Sequence, residues 1–394
     1  MPKQTVKDLK TRKGTRVFVR VDYNVPLKDG RITDDTRIRA SLPTLEYLLE
    51  GGAQLVLASH LGRPKKGPAP DLSLRPVAAR LSELVGKPVV MAPDCVGAEV
   101  RKAASALADG GVLLLENVRF HPEEEKNDPA FAKSLIGDTG STVFVNDAFG
   151  SAHRAHASTE GVSHHVQTSV AGLLMEKELR FLGLALEAPE RPFVAVLGGA
   201  KVSDKIEVID NLLPRVDALL IGGGMAYTFF RAQGLATGKS LVEEDKVELA
   251  KSLLAKARGK IHLPVDHVVA SAFSPEAERK TVAVAQVPEG WMGLDIGPAT
   301  AAAFSEKVRN AKIVLWNGPM GVFEMKPFAE GTLAVARALA ESSGTTIVGG
   351  GDSVAAVTQM GLAGRISHVS TGGGASLEFL AGDPLPGVLC LREA

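Results

Sequence analysis

Short apolar runs rich in Val, Leu and Ile recur along the chain between longer stretches of helical period. That alternation is expected of parallel sheets with crossover helices. A first series of strands is expected over 17–21, 55–58, 112–115 and 142–145, and a second over 193–197, 218–221, 313–316 and 345–348. Between them, Leu173, Leu174, Leu179, Phe181, Leu182, Ala185 and Leu186 mark a helix over 173–188 that Pro189 and Pro192 would end. Each series has about the length of one ordinary domain. The expected fold is therefore α/β: two doubly wound, Rossmann-like parallel-sheet domains, over 1–172 and 189–377, joined by that helix.

Length agrees, since 394 residues exceed the roughly 250–300 at which a single core stops growing. Lys plus Arg and Asp plus Glu both total 45, so no global field exists to hold nucleic acid or an anionic membrane. The cysteines, Cys95 and Cys390, have no partner at metal-ligand spacing and read as reduced, buried thiols. The opening MPKQTVKDLKTRKG has no signal-peptide core, and no apolar run reaches the roughly 20 residues of a membrane span. A soluble, cytoplasmic protein is expected.

In open parallel sheets, ligands sit beyond the carboxyl ends of the strands. The first-half strands run into Arg20-Val-Asp22-Tyr23-Asn24, Ser59-His60-Leu61-Gly62-Arg63, Glu116-Asn117-Val-Arg119 and Asn146-Asp147-Ala-Phe149-Gly150, with His153, Arg154 and His156 close behind. Arg37 follows Thr33-Asp34-Asp35, a capped helix start whose buried stripe would be Ile38, Leu42, Leu45 and Leu49. A lone strand-end arginine is usually solvated or salt-bridged. Several converging on one edge imply a small polyanionic ligand, because each guanidinium fork matches carboxylate or phosphate oxygens. His153 and His156 lack a third ligand for zinc and are expected to orient substrate or to pack.

The second-half strands run into glycines instead: Gly198-Gly199-Ala-Lys201-Val-Ser203-Asp204-Lys205, Gly222-Gly223-Gly224, Gly349-Gly350-Gly351-Asp352-Ser353 and Gly372-Gly373-Gly374. Glycine admits close backbone approach, and a helix start offers unpaired N–H groups, so such junctions suit phosphates. Lys201 and Lys205 would share one helix face and reach one oxygen cluster, the alternative being that both point into water. Asp352 can either cap its helix or hold Mg²⁺ between phosphates. Gly234-Leu-Ala-Thr-Gly238-Lys239-Ser240 imitates a phosphate-binding loop one residue short and reads as a surface turn. No glycine cluster has dinucleotide-fold spacing, which counts against a dehydrogenase.

RVDYNVP, SHLGRP, LLENVRF, NDAFGSAHRAHAS, GGAKVSDK, GGGMAYTF, WNGPMGVFE, GGGDS and TGGGASLEFL follow one another along the chain. In that order they resemble the phosphoglycerate kinase family over essentially the whole length. Tyr23 stands where Phe is commoner and Ser151 where Thr is common. The resemblance implies substrate contacts at Asp22, Tyr23, Asn24, Arg37, His60, Leu61, Gly62, Arg63, Arg119 and Arg154. It implies nucleotide contacts at Gly199, Lys201, Lys205, Gly293, Asn317, Glu324, Gly350, Gly351, Asp352 and Ser353, with Glu324 on the ribose. Catalytic roles fall to Arg37, Lys201, Gly351 and Gly374, and Asp352 meets Mg²⁺ bound to ATP or ADP. The tail 378–394 would return to the first domain, and the protein would be a monomer acting on 3-phosphoglycerate, 1,3-bisphosphoglycerate, ATP and ADP, without nucleic-acid or membrane partners. The rival reading, a two-lobed anion-binding protein without catalysis, leaves Lys201 and Asp352 without a nucleotide to hold.

Overall fold

The computed structural model describes residues 2–9, 13–65, 67–187 and 189–394. The chain divides into two compact units, Met1–Arg180 with Pro384–Ala394, and Phe181–Asp383. The division falls inside the helix Leu173–Leu186. Ala188, the expected end of that helix, lies outside the described residues.

The first unit is built on a parallel sheet with strands in the order Val89–Met91, Val112–Leu114, Gln54–Ala58, Arg16–Arg20, Val143–Asn146 and Thr168–Ala171. Its central strands are buried on both faces, which is why they read as unbroken apolar runs rather than alternating ones. Val17, Val19, Leu55, Leu57, Val112 and Leu114 share one face. Against them lie Ile38, Leu45 and Leu48 of the helix Thr36–Glu50 and Val77 and Leu81 of the helix Arg75–Val85. The helix Pro129–Thr139 shows its sequence logic plainly: Asp128 Oδ1 accepts from Phe131 N at 2.8 Å, Pro129 occupies the first turn, and Gly140 at φ +63° ends it.

The second unit repeats the plan with parallel strands ordered Ile261–His262, Ala218–Ile221, Phe193–Leu197, Ile313–Asn317, Thr345–Gly349 and His368–Val369. It adds an antiparallel sheet that the apolar pattern did not announce, Arg279–Ala283, Asp266–Ala270 and Met292–Ile296. Chain exchange occurs later than expected. The helix Gly374–Ala381 stays with the second unit, where Asn211 Nδ2 donates to Leu380 O at 2.7 Å. Only the residues from Pro384 onward rejoin the first unit, where Gly387 N donates to Ala152 O and Asn146 Nδ2 to Gly387 O, both at 2.8 Å. Cys95 is buried and Cys390 only half-buried, and both are free. The fold brings Asp94 and His121 to Cys95, their ligand atoms within 4.8 Å of one another, a convergence invisible in the spacing. Among the described residues, no helix is long and apolar enough to cross a membrane.

Asp147, directly after the strand Val143–Asn146, is buried, and its Oδ1 accepts from Leu174 N at 2.9 Å and Met175 N at 3.2 Å. Burial pushes its pKa up to about 7, against the pull of hydrogen bonds from Thr44, Met175 and Leu174. A carboxyl whose folded pKa lies above its unfolded value contributes most below about pH 4, and that contribution is lost as pH rises through the folded value. Asp147→Asn cannot ionise. Between pH 5 and 8 its urea-unfolding free energy should therefore gain on wild type by on the order of 2–3 kcal/mol. A difference that stays constant with pH would show that Asp147 titrates as an ordinary carboxylate.

Candidate functional site

In the first unit the strand Arg16–Arg20 lies between Gln54–Ala58 and Val143–Asn146, with Arg20 level with both Ala58 and Asn146. The residues after these strands therefore gather at one sheet edge. Arg37, in the first turn of the helix Thr36–Glu50, places Nη1 3.0 Å and 3.1 Å from the Asp22 oxygens and 3.2 Å from Asn24 O. Its side chain keeps 34% of its surface exposed. Burial raises the Asp22 pKa, but His60, Arg37 and Arg20 outweigh it and hold the carboxyl below its ordinary value. Burial drives His60 well below the usual histidine range despite the Asp22 charge, so its imidazole is neutral at neutral pH.

Asn24 and Gly62 tie adjacent strand ends together: Asn24 Oδ1 accepts from Gly62 N at 2.8 Å, and Gly62 O accepts from Arg119 Nη1 at 2.9 Å. Burial lowers the Arg119 pKa; Glu125, 3.3 Å from its Nε, and Glu124 oppose that, while Arg154 and Arg63 press it further down. Arg63 and Arg154 are exposed. Mutual repulsion of this kind is unfavourable unless an anion enters. At two of the expected contacts the side chain points inward. Tyr23 is 0% and Leu61 2% exposed, with the Tyr23 hydroxyl on Ser41 at 2.9 Å, so both side chains belong to the core beneath the site.

Beneath the same edge sits Arg20, one of the strand-end arginines but not among the substrate contacts that the family resemblance implied. It is 1% exposed, with Nε donating to Ser158 Oγ at 2.8 Å and Nη2 3.0 Å from His60 Nδ1. Ser158 in turn donates from N and Oγ to Glu124 at 2.9 Å and 2.6 Å. Burial disfavours charge on both Arg20 and Glu124, and each offsets that for the other. His60 is thus held from below by a buried ion network. The only local signal was an arginine closing an otherwise apolar strand.

The second unit contains a cavity of about 470 Å³ lined by Gly199, Gly293, Glu324 and Asp352, together with apolar side chains that include Leu294 and Met320. Leu241 and the 61%-exposed Phe273 also line it. Lys239 does too, although its segment read as a mere surface turn. The sequence pattern carried no signal for Leu241 or Phe273, and Met320 lies inside the motif WNGPMGVFE without having been singled out.

The glycine clusters divide into two kinds. Gly198 N donates to Asn317 O, Gly199 N to Pro319 O, Gly222 N to Leu197 O and Gly223 N to Met320 O, so these amides already have backbone partners. Their glycines permit close packing: a Cβ on Gly198 would lie 2.1 Å from Pro319 O, and one on Gly223 2.6 Å from Gly199 N. Gly350, at φ +85°, instead turns the chain into the helix Gly351–Gln359. The first-turn amides of Gly351, Asp352 and Ser353 have no acceptor within that helix. The Ser353 side chain is committed, its Oγ accepting from Gly318 N at 2.6 Å.

Lys201 and Lys205 do not share a helix face. Lys201 is exposed in the loop, whereas Lys205 is buried at the start of the helix Ile206–Leu212. Valine at 202 and the short turn Ser203–Lys205 intervene, because Glu243 draws Val202 N and Ser203 N to its carboxylate at 2.6 Å and 3.1 Å. Lys205 Nζ donates to Asn317 Oδ1 at 2.6 Å, and its pKa is lowered by burial against the pull of Asp204 and Asp352. Asn317 Nδ2 is buried without a partner, and a Cβ on Gly350 would come within 2.9 Å of it. Gly374 opens the exposed start of the helix Gly374–Ala381. One unit thus offers a guanidinium cluster and the other a cavity beside a helix start, a buried lysine and an unpaired amide donor.

A family model described as phosphoglycerate kinase matches residues 6–383. The chain belongs to the phosphoglycerate kinase family. It is 62% identical to a cytosolic phosphoglycerate kinase of Triticum aestivum, over 97% of this chain and 96% of that one. It is also 62% identical to a phosphoglycerate kinase of Moorella thermoacetica over 100% of both chains. The solved phosphoglycerate kinase of Coxiella burnetii superposes with a TM-score of 0.89 at 41% identity, over 99% of this chain and 98% of the other. That of Pyrococcus horikoshii OT3 superposes with a TM-score of 0.85 at 36% identity, over 98% of each.

Phosphoglycerate kinases are phosphotransferases that act on nucleotides and other small molecules. The two kinds of glycine in this member should respond differently to a methyl group. Gly198→Ala collides with backbone oxygens at 2.1 Å and 2.7 Å and should lower stability by about 1–3 kcal/mol in thermal or urea unfolding. Gly351→Ala meets nothing within 4 Å and should unfold like wild type. Equal losses in both variants would contradict this division.

Proposed function

We propose that the chain catalyses reversible phosphoryl transfer from 1,3-bisphosphoglycerate to ADP, giving 3-phosphoglycerate and ATP, as a cytoplasmic monomer serving glycolysis and gluconeogenesis. The observation that carries this reading is the Arg37–Asp22 pair set among Arg63, Arg119 and Arg154, an excess of fixed positive charge suited to a small phosphorylated acid. The nucleotide belongs in the other unit's cavity, with Glu324 toward the ribose. Its phosphates would reach the helix start Gly350–Gly351–Asp352–Ser353, where Lys205 and the unpaired Asn317 Nδ2 supply further donors.

In the reverse direction the acceptor is a carboxylate already ionised at neutral pH, so the chain needs no catalytic base. What its residues supply is position and charge. Arg37, anchored through Nη1 by Asp22, would present the rest of its fork to the reacting carboxyl and the moving phosphoryl group. Lys201, exposed ahead of its helix, would neutralise the same group, and the amides of Gly351 and Gly374 would do so from their helix starts. Asp352 combines an exposed carboxylate with a place on the cavity wall, an oxygen ligand suited to Mg²⁺ on the nucleotide, which when bound would draw charge from the phosphate oxygens. Since the acid and nucleotide receptors belong to different units, direct transfer requires the units to come together and exclude water.

A coupled assay should show ATP forming from 1,3-bisphosphoglycerate and MgADP. Arg37→Lys, which keeps the charge but not the fork, should lose about a hundredfold in turnover with its fold intact by circular dichroism. Near-normal turnover would remove Arg37 from the reacting centre. Nucleotide-induced closure without ATP formation in wild type would favour the non-catalytic anion-binding reading instead.

A further inference from the structure

The phosphoryl transfer proposed above leaves two buried polar groups of the nucleotide cavity unused, on His267 and Tyr227. His267 sits on the strand Asp266–Ala270, is 1% exposed, and lines the cavity with Gly293 and Leu294 of the neighbouring antiparallel strand. Tyr227 and Phe230 hold its ring, each with centroids 5.0 Å away, the first at 37° and the second at 80°. Its Nε2 is buried and has no hydrogen-bond partner. Buried polar atoms almost always find a partner, so an unpaired one in a cavity wall points to a ligand.

Leu241, Phe273, Met292 and Leu294 can cover the faces of a flat ring but cannot tell one base from another. Of the other polar side chains of the wall, all but Tyr227 are engaged or lie at the surface. Asp295 accepts from Gly331 N at 2.8 Å and Ile296 N at 2.9 Å. The Tyr227 hydroxyl is buried without a hydrogen-bond partner too, but it sits tight behind the Gly293 backbone, where a Cβ on Gly293 would lie 1.4 Å from it; Ser240 accepts from Gly293 N at 2.9 Å. Lys239, Glu324 and Asp352 are exposed, where water competes for their hydrogen bonds. Burial lowers the His267 pKa to about 4, so at neutral pH the ring is uncharged, with one donor nitrogen and one acceptor nitrogen.

We infer that His267 is a specificity-determining residue that reads the polar edge of a purine base. The inference rests on the nucleotide occupying this cavity. A purine brings a second ring and its edge groups to the wall, whereas a pyrimidine is one ring shorter.

The test compares His267→Phe, which keeps a ring between Tyr227 and Phe230, with wild type. Kd is measured by titration calorimetry for ADP and for UDP, and KM and kcat with each as acceptor. Loss of one hydrogen bond should weaken ADP about tenfold, in Kd and KM alike, with kcat retained and UDP unaffected. The preference for ADP over UDP then falls by the same factor. His267→Gln, which restores a neutral donor and acceptor, should recover part of that preference, and thermal unfolding of both variants shows whether the cavity survives. Equal weakening of ADP and UDP, or an unchanged ADP affinity, would overturn the role of His267. Wild type that binds ADP but transfers no phosphoryl group would refute the kinase reading while leaving the calorimetric comparison decisive for His267. Wild type that binds neither nucleotide would refute both.

Discussion

A parallel sheet sends the carboxyl ends of all its strands to one edge, and that edge is where a doubly covered sheet can expose polar side chains without opening its core. Both units obey this constraint. In the first, Arg20, Ala58 and Asn146 stand level on adjacent strands, so the segments that follow them meet whatever their separation in sequence. The accumulated positive charge then needs a foundation. Arg20 provides it from within, its own charge matched by Glu124 through Ser158, while Asp22 receives Arg37 from above. His60 is kept neutral between them and can hydrogen-bond an anion without adding to the repulsion.

The second unit solves a similar problem with backbone rather than side chains. Loops 198–199, 222–223 and 318–320 approach so closely that their amides bond one another's carbonyls. A side chain at Gly198 or Gly223 would break that interlock. Most of its glycines therefore build the wall rather than hold phosphate. Unpaired donors remain where a helix begins, at Gly351 to Ser353, and where Asn317 gives its oxygen to Lys205 and keeps its Nδ2 hydrogens.

Much of this was legible because fully buried parallel strands demand β-branched and leucine-rich runs, and those runs stand out. Strands such as Ile261–His262 and Val89–Met91 are too short to leave a pattern. Arg279–Ala283 is polar and mostly exposed, so its sheet escaped notice. Motif membership does not reveal direction: Tyr23 and Leu61 lie within site motifs, yet their side chains pack inward. The opposite held for Lys239 and His267, which lie outside the family motifs and reach the cavity by way of a turn and of the antiparallel sheet. Lys201 and Lys205 were misplaced for a local reason, since Glu243 captures the amides at 202 and 203 and delays the helix.

Asp147 and Asp295 reveal a device the two units share. Each lies at or just past the end of a strand, Asp295 as its penultimate residue, is buried, and accepts amide N–H groups near a helix start: Leu174 and Met175 in one case, Gly331 in the other. Burial pushes both pKa values up to about 7, against those hydrogen bonds. An ionised carboxylate would gain more from a helix dipole, so electrostatic attraction alone does not account for such deep burial. Shape does. A Cβ on Gly172 would lie 2.1 Å from Asp147 Oδ1, and one on Gly331 2.3 Å from Asp295 Oδ1, so each carboxyl fills the space a side chain would need. An aspartate seated against a glycine fixes where the helix starts relative to the strand end, at the same edge that carries the functional groups. For Leu173–Leu186, the helix in which the division between the units falls, Asp147 anchors the end that belongs to the first unit.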